Sequence, residues 1–515
     1  MWRKATGFRY PLSIEKKAEP LIFTPWIDKP ASYESATYTF LNQSVQYPSA
    51  INWGESKYGK LWAYNLNYMD YLLQANMDIE TGNQLIQCFI SDLPQNPTGL
   101  EPYPIALRGI NWIKFLSRTS LRGGTTTRQS DAIPQINNSL YAQYLILLDN
   151  LEYHLMGNHL LEDAFSLLFG AFYFKEQRFW EVARRLLIQE LEEQLLDDGA
   201  HFELSPMYHQ ILLDRLLDCI NLVQNNTCFD EQDKLLVQLK QKAEQMLTWL
   251  NTITLSDGRI PLLNDSAPGI APTTGQLNEY AKSLNIEPVA LSEVEGWNFE
   301  LKDSGYRRYN GTNYECIIDI EGIKPGYQPG HAHADTFNFI LNVNHQPFLI
   351  DTGISTYESN AIRLAERGTP AHNTVAVNER NSSQVWSSFR VAQRANVKVI
   401  KEEKNRVTAT HDGFRSIGTS HQRSWQFDEQ AIKVEDVLTG SQTKGTAYFH
   451  VSPTLKPIRK NNEIWINDTC ISFEGAETIS LIKAQLPNGY NQSVDYYKLE
   501  VVFQHKLTTF IKIRN

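Results

Sequence analysis

Two hydrophobic periodicities divide this chain. From about Trp62 to about Leu284, apolar positions recur at intervals of three and four with charges between them, as in Leu140–Leu148 and Phe179–Ile188. That spacing predicts amphipathic helices. They follow one another across short polar or glycine-containing breaks, which predicts antiparallel helical hairpins. Periodicity alone leaves a bundle, a solenoid and a toroid open. After about Gly296 the period falls to two. Tyr314–Ile320, Ala395–Ile400 and Ala431–Leu438 alternate, are rich in β-branched and aromatic residues, and are bounded by turn residues. The second half therefore reads as an antiparallel β-sandwich. Helices followed by strands, without interleaving, mean two domains rather than one α/β sheet. The division expected is 1–295 and 296–515, with a boundary near Ser292–Trp297.

Length and composition support this picture. A chain of 515 residues with 42% hydrophobic and 21% charged residues builds large cores, and two domains are the natural number. No apolar run reaches the roughly 18–20 residues that cross a bilayer. The first ten residues carry early positive charge without a following apolar stretch, so no secretory signal is read. As written the chain is cytoplasmic; with a leader removed it would be periplasmic or secreted. The five cysteines are scattered and odd in number, which argues for free thiols over a disulfide framework. A net charge of −10 argues against nucleic acid as partner. It leaves room for a polyanionic substrate, because a local basic cleft acts within an acidic surface.

The histidines add chemistry. His331 and His333 lie in Gly330-His331-Ala332-His333-Ala334-Asp335, ahead of the apolar strand Phe337–Val343. Asp351 closes the next strand, and His372 begins another. Two neutral imidazoles and one carboxylate suit Zn²⁺ or a similar divalent ion. A strand hairpin with a return strand would bring them together.

A second cluster falls in the helical half. Asn158 and Glu162 are four apart on a helix, with His159 beside them. Ser205-Pro206 reads as a helix start, which puts Tyr208 and His209 in its first turn. Upstream, Leu61–Tyr68 and Pro102–Trp112 mix Trp and Tyr with Asn and Arg, the combination a saccharide groove uses. Asn65, Tyr68, Arg108 and Trp112 are the candidates there. Each of these residues, taken singly, also has a structural reading: a cap, a solvated face, or a packed aromatic.

Taken jointly, in order and spacing, the motifs resemble the heparinase II/III-like polysaccharide lyases. The resemblance covers most of the chain and is nearest to the heparan-sulfate and broad glycosaminoglycan lyases. It implies an N-terminal (α/α) toroid, an incomplete barrel of helical hairpins, before the β-sandwich. It implies that Asn158 and His159 neutralise a uronate carboxylate, that Tyr208 and His331 are the acid and base, and that Glu162 supports them. His333, Asp351 and His372 match metal ligands, with Zn²⁺ first and Mn²⁺ or Ca²⁺ as alternatives. Asn65, Tyr68, Arg108, Trp112, Glu162, His209 and Arg367 would contact substrate.

The implied activity is β-elimination on uronic-acid polysaccharides such as heparan sulfate, hyaluronan or chondroitin sulfate. The C5 proton is weakly acidic, so donors must stabilise charge developing on the carboxylate, and an acid and a base must reach the scissile bond. Tyr208 serves as both in a syn elimination if neighbouring cations depress its pKa. For the opposite C5 epimer, His331 is the base. A polyanion also needs basic guides. Arg108, Lys114, Arg118, Arg122, Arg128, Arg363, Arg367 and Arg390 are candidates, of which Arg108 and Arg367 lie within or near the matching segments. The rivals are an alginate-type uronate lyase, a hydrolase using carboxylates such as Glu162, Asp163 and Glu203, and a non-catalytic carbohydrate-binding protein. Oligomeric state is left open.

Overall fold

The structure is a computed structural model that describes residues 9–121, 132–289, 298–324 and 326–514. The expected boundary near 292–297 lies outside these, as do Arg122 and Arg128. Helices occupy the N-terminal half and antiparallel sheets the C-terminal half, as the two periodicities predict. Compact packing nevertheless divides the chain less simply than a cut at 295. One unit holds residues up to Gln194 with Leu212–Glu244 and Gln276–Glu287; the other holds Leu195–Ile211, Gln245–Gly275 and the rest of the C-terminal half. Segments of the helical half thus belong with the sheets, and one of them contains Tyr208.

The first unit carries a small sheet of β1 (Tyr33–Glu34), β2 (Thr37–Phe40) and β3 (Gln43–Gln46). Its helices include α1 (Lys60–Tyr68), α2 (Ile79–Asp92), α3 (Pro102–Leu121), α4 (Ala132–Asp149), α5 (Gly157–Phe174) and α6 (Gln177–Gln194). Helix α5 is the core of this unit and packs against α3, α4 and α6. It is buried on every side, Asn158, Glu162 and Asp163 included, and His159 is its one residue that is not buried. A helix without a solvent face must be enclosed by its neighbours. Gly109 of α3 and Gly170 of α5 make room for Tyr144 of α4: a Cβ at either would come within 2.6 and 2.7 Å of the tyrosine. Charge is buried here too. Lys114 meets Asp218 at 2.6 Å, each 1% exposed, and breaking such a pair by removing one partner costs about 3–5 kcal/mol. Helices α7 (Pro206–Asn225), α8 (Gln232–Ile253) and α9 (Thr274–Ser283) each run through both units.

The second unit holds a five-stranded sheet of β4 (Asn298–Leu301), β5 (Tyr306–Asn310), β6 (Tyr314–Asp319), β7 (Phe339–Val343) and β8 (Gln346–Leu349), paired in chain order. A larger sheet runs β12 (Val397–Glu403), β13 (Arg406–His411), β14 (Thr419–Asp428), β15 (Ala431–Gly440), β20 (Ser493–Lys512), β19 (Thr469–Pro487), β18 (Glu463–Ile466) and β17 (Ile458–Lys460). The long β20 pairs with β15 through its C-terminal half and with β16 (Lys444–His450) through its N-terminal half. Strand β9 (Val375–Val377) adds to β16. Bulges in β19 near Glu474–Thr478, beside Gly475 at φ +87°, bend the long hairpin between those two partners. The inward faces of both sheets share one apolar cluster, with Phe339 and Leu341 from one and Trp425, Val434 and Val501 from the other. Burying each such side chain is worth about 1.5–3 kcal/mol. Between the sheets' strands lie helix α10 (Ala361–Glu366) and the hairpin of β10 (Val385–Trp386) and β11 (Arg390–Val391). All five cysteines are free. Among the described residues no helix is long and apolar enough to cross a membrane.

Candidate active site

Tyr208 and His331 meet in the second unit. Ser205 precedes α7 and its hydroxyl accepts from the Tyr208 amide at 3.3 Å, so the Ser-Pro helix start sets the tyrosine in the first turn. The Ser205 hydroxyl also donates to the Asp265 carbonyl at 2.8 Å, tying that turn to the loop after α8. The Tyr208 ring lies against the imidazole of His331, centroids 4.2 Å apart. Its hydroxyl is 3.0 Å from the hydroxyl of Tyr357.

Asp265 organises the rest. One carboxylate oxygen is 2.8 Å from Nδ1 of His331 and the other 2.8 Å from Nε2 of His333. Arg363 donates to both oxygens, at 2.5 and 2.7 Å. Burial alone would raise the Asp265 pKa, but Arg363 and the two histidines hold it well below the usual carboxylate range. An ionised Asp265 accepts only, so each histidine donates the nitrogen that faces it. The carboxylate thus occupies Nδ1 of His331 and leaves Nε2 as its outward ring nitrogen in the more open of the two residues, 14% exposed. His333 is buried and left with an unprotonated Nδ1.

Burial pushes the Tyr208 phenol well above its ordinary pKa, and Tyr490, Asp265 and Glu203 push it further. The expectation that neighbouring cations depress it is therefore corrected: carboxylates and burial surround this hydroxyl, and the Arg363 charge is taken up by Asp265. The same burial favours the protonated phenol.

His333, Asp351 and His372 are brought close. The rings of His333 and His372 lie 5.3 Å apart. Asp351 accepts from His372 Nδ1 at 2.8 Å, Asn338 at 2.5 Å and the Gly353 amide at 3.1 Å. His333 Nδ1 and His372 Nε2 are buried without a hydrogen-bond partner. Burial lowers His333 to about 4, keeping it neutral. Among the described residues no three His, Cys, Asp or Glu side chains are placed so that together they could hold a metal ion. Yet two orphaned imidazole nitrogens are what a zinc-class ion takes, and buried nitrogens otherwise find partners. Those two nitrogens suit such an ion, and Asp351, which accepts from His372 Nδ1, orients His372.

The helical unit places the other residues separately. Asn158 and His159 sit in the first turn of α5, whose N-cap is Met156, so Asn158 is not the cap. His159 holds Glu152 through Nδ1 at 2.9 Å and lies 4.4 Å from the Tyr103 ring. Tyr103, Tyr68 and Tyr64 continue this aromatic row at 5.9 and 5.8 Å. Glu162 is buried beside Arg215 at 3.4 Å, and burial raises its pKa.

Several expected substrate contacts are structural instead. Arg108 is fully buried and donates to Gln143 and to the carbonyls of Asn67, Gly99 and Pro104. Arg367 is fully buried and donates to the carbonyls of Ala332, Ser387 and Ser388. Trp112 is core, its indole facing the Met69 sulfur. Asn65 donates back to the Leu61 carbonyl one turn earlier. His209 is saturated by backbone: Nε2 donates to the Met246 carbonyl and Nδ1 accepts from the His201 amide. Lys114 and Arg118 are likewise spent, on Asp218 and on Asp28 and Gln74. Sequence reasoning missed Asp265, Arg363's partnership with it, Tyr357 and Glu152. None carries a local motif; an Asp in Asn264-Asp265-Ser266 is an ordinary loop residue until the fold brings it to the histidines.

Comparison with known proteins places these motifs. Residues 134–287 match the heparinase II/III N-terminus and residues 298–494 the heparinase II/III-like C-terminal region. The chain belongs to the heparinase II/III-like family. Among curated members, a heparin-sulfate lyase of Bacteroides stercoris is 24% identical over 336 residues, 60% of this chain and 48% of that protein. A heparin-sulfate lyase of Pedobacter heparinus is 26% identical over 248 residues, 44% of this chain and 36% of that one. The chain thus aligns with half or less of each of these relatives. Among solved heparinase-family structures, heparinase III superposes with a TM-score of 0.73 at 16% identity, covering 92% of this chain and 81% of that one. A mutant heparan sulfate lyase of Pedobacter heparinus gives 0.62 at 18%, covering 91% and 79%. These likenesses are of fold.

Proposed function

We propose that this chain is a polysaccharide lyase that cleaves uronic-acid-containing, glycosaminoglycan-type polysaccharides by β-elimination. The observation that carries the reading is the Tyr208 ring packed 4.2 Å from a carboxylate-oriented His331. His331 Nε2 takes the C5 proton, the C4–O4 bond breaks as C4=C5 forms, and the Tyr208 hydroxyl delivers its proton to the leaving oxygen. A proton passing from His331 back to Tyr208 resets the pair. Asn158 and His159 neutralise the uronate carboxylate, with Glu152 holding Nδ1 of His159. The helical hairpins are read as an (α/α) toroid and the paired sheets as a β-sandwich. The named activities of the heparin-sulfate lyase relatives support this assignment.

A divalent ion, Zn²⁺ before Mn²⁺ or Ca²⁺, would be held by His333 and His372 with Asp351. When bound it supplies a fixed positive charge that holds the loops around His331 in place. The residues of the chain do the proton transfers.

The test is direct. The protein is incubated with heparan sulfate, hyaluronan, chondroitin sulfate and alginate, and the ultraviolet absorbance of an unsaturated uronate is followed. The wild-type protein should produce it from at least one glycosaminoglycan, and Tyr208→Phe should abolish it. Cleavage without that absorbance, or full activity in Tyr208→Phe, would refute the mechanism.

A further inference from the structure

The hairpin of β10 and β11 is held far more firmly than its length requires. It has two residues in each strand, and a ladder that short is marginal alone. Two buried arginines of the α10 region pin it. Arg367 donates to the carbonyls of Ser387 and Ser388 at 3.1 and 3.0 Å, and Arg363 to that of Ser388 at 3.1 Å. The same Arg367 holds the Ala332 carbonyl at 2.9 Å, and the same Arg363 holds Asp265. One pair of guanidinium groups thus locks the hairpin to the segment carrying His331.

What the hairpin displays is not explained by folding. Trp386 is 55% exposed and Phe389 41% exposed. Leaving a large aromatic in water forgoes the stabilisation its burial would bring. Trp386 pairs directly with Arg390 across the two strands, so their side chains share a face. Arg390 is exposed, and among the described residues its guanidinium has neither an ion-pair nor a hydrogen-bond partner. Phe389 runs back from this face to the site: its ring is 5.8 Å from that of His331 and 5.3 Å from that of Tyr357. An exposed indole offers a flat apolar surface to the C–H face of a pyranose, and a free guanidinium offers a fork to a carboxylate or sulfate.

We propose that Trp386 and Arg390 form a subsite for an anionic sugar of the polysaccharide, stacking its ring and pairing its acid group, along the chain from the bond cleaved at His331. The proposal rests on the lyase reading of Tyr208 and His331. Of the basic guides considered from sequence it takes Arg390, whereas Arg108 and Arg367, the two favoured there, are buried. Trp386 and Arg390 are on the surface, so their removal leaves the fold intact.

The experiment separates binding from cleavage. Octasaccharides of heparan sulfate and of hyaluronan are titrated by calorimetry into the Tyr208→Phe protein, alone and combined with Trp386→Ala, Trp386→Phe or Arg390→Ala. Trp386→Ala and Arg390→Ala should each weaken binding about tenfold, and Trp386→Phe should recover most of the loss. Arg390→Ala should also flatten the dependence of affinity on salt, whereas Trp386→Ala should leave it. If the parent binds and both alanine variants bind as it does, the subsite is refuted while the lyase reading stands. If the parent binds neither octasaccharide although the wild-type protein releases unsaturated product from the same polysaccharide, the subsite is refuted and the lyase reading stands; if the wild-type protein releases none from any glycosaminoglycan, the lyase reading fails and the subsite with it.

Discussion

His331 and His333 lean on the same carboxylate through different ring nitrogens. Asp265 takes Nδ1 of the first and Nε2 of the second. His331 keeps a free Nε2 beside a tyrosine on the partly open side; His333 keeps an orphaned Nδ1 beside His372 on the buried side. The residue type and the partner are the same. What differs is which nitrogen the carboxylate occupies, because that choice sets the tautomer and hence the direction in which a lone pair is offered. A His-x-His motif can thus supply a proton-transfer group and a metal ligand at once.

The change with the largest effect attacks both sides together. Asp265→Asn removes an acceptor from one histidine and leaves Arg363 buried without its counter-charge. Turnover should fall about 10²–10⁴-fold, metal affinity about 10–100-fold, and unfolding free energy by about 3–5 kcal/mol. Steady-state rates, metal analysis and urea titration check the three. A protein unaffected in turnover would break the link between Asp265 and His331.

Single-sided changes should separate. His331→Ala should cost about 10²–10⁴-fold in kcat while a chelated and reloaded protein takes up the same metal equivalents as wild type. His333→Ala should weaken metal binding about 10–100-fold, the range seen when a site's ligand support is lost, and leave residual turnover above that of His331→Ala. Tyr357→Phe removes the hydroxyl that faces Tyr208 and should lower kcat by less than either, about tenfold, the value of one hydrogen bond. Unchanged kcat there would show that Tyr208 needs no such partner.

A third histidine marks what neither of these is. His209 has both nitrogens engaged by backbone, and burial lowers it to about 4. Unfolded, it titrates near 6.5. Its contribution is complete above pH 6.5 and is lost as pH falls toward 4, because the unfolded state binds the proton and the folded state does not. That share amounts to about 3 kcal/mol between those limits. Urea unfolding of His209→Gln should show a shallower loss over that window than wild type; an equal slope would show that His209 titrates freely in the fold.

Much of this was legible before any coordinates. The change of period located helices and strands, and Ser205-Pro206 marked the helix that carries Tyr208. The histidines and Asp351 were singled out by type and spacing. The arginines were misread because the partners that bury them come from elsewhere: Arg108 is held by carbonyls of Asn67 and Gly99, and Arg367 by Ala332 and the hairpin turn. Asp265 was missed for the same reason, as its histidines follow 66 and 68 residues later. Whether cations would depress Tyr208 could not be read locally, because burial and groups as distant in sequence as Tyr490 raise its pKa. Local periodicity records which face is buried; it does not record which backbone carbonyl a buried cation will find.

The central claim is the division of labour between the two histidines, and one paired measurement tests it. His331→Ala and His333→Ala are each stripped with chelator, reloaded with Zn²⁺, and assayed for bound metal and for formation of unsaturated product. A crossing is expected: full metal with lost turnover in the first, and lost metal with residual turnover in the second. Loss of metal in His331→Ala, or full metal in His333→Ala, would contradict it.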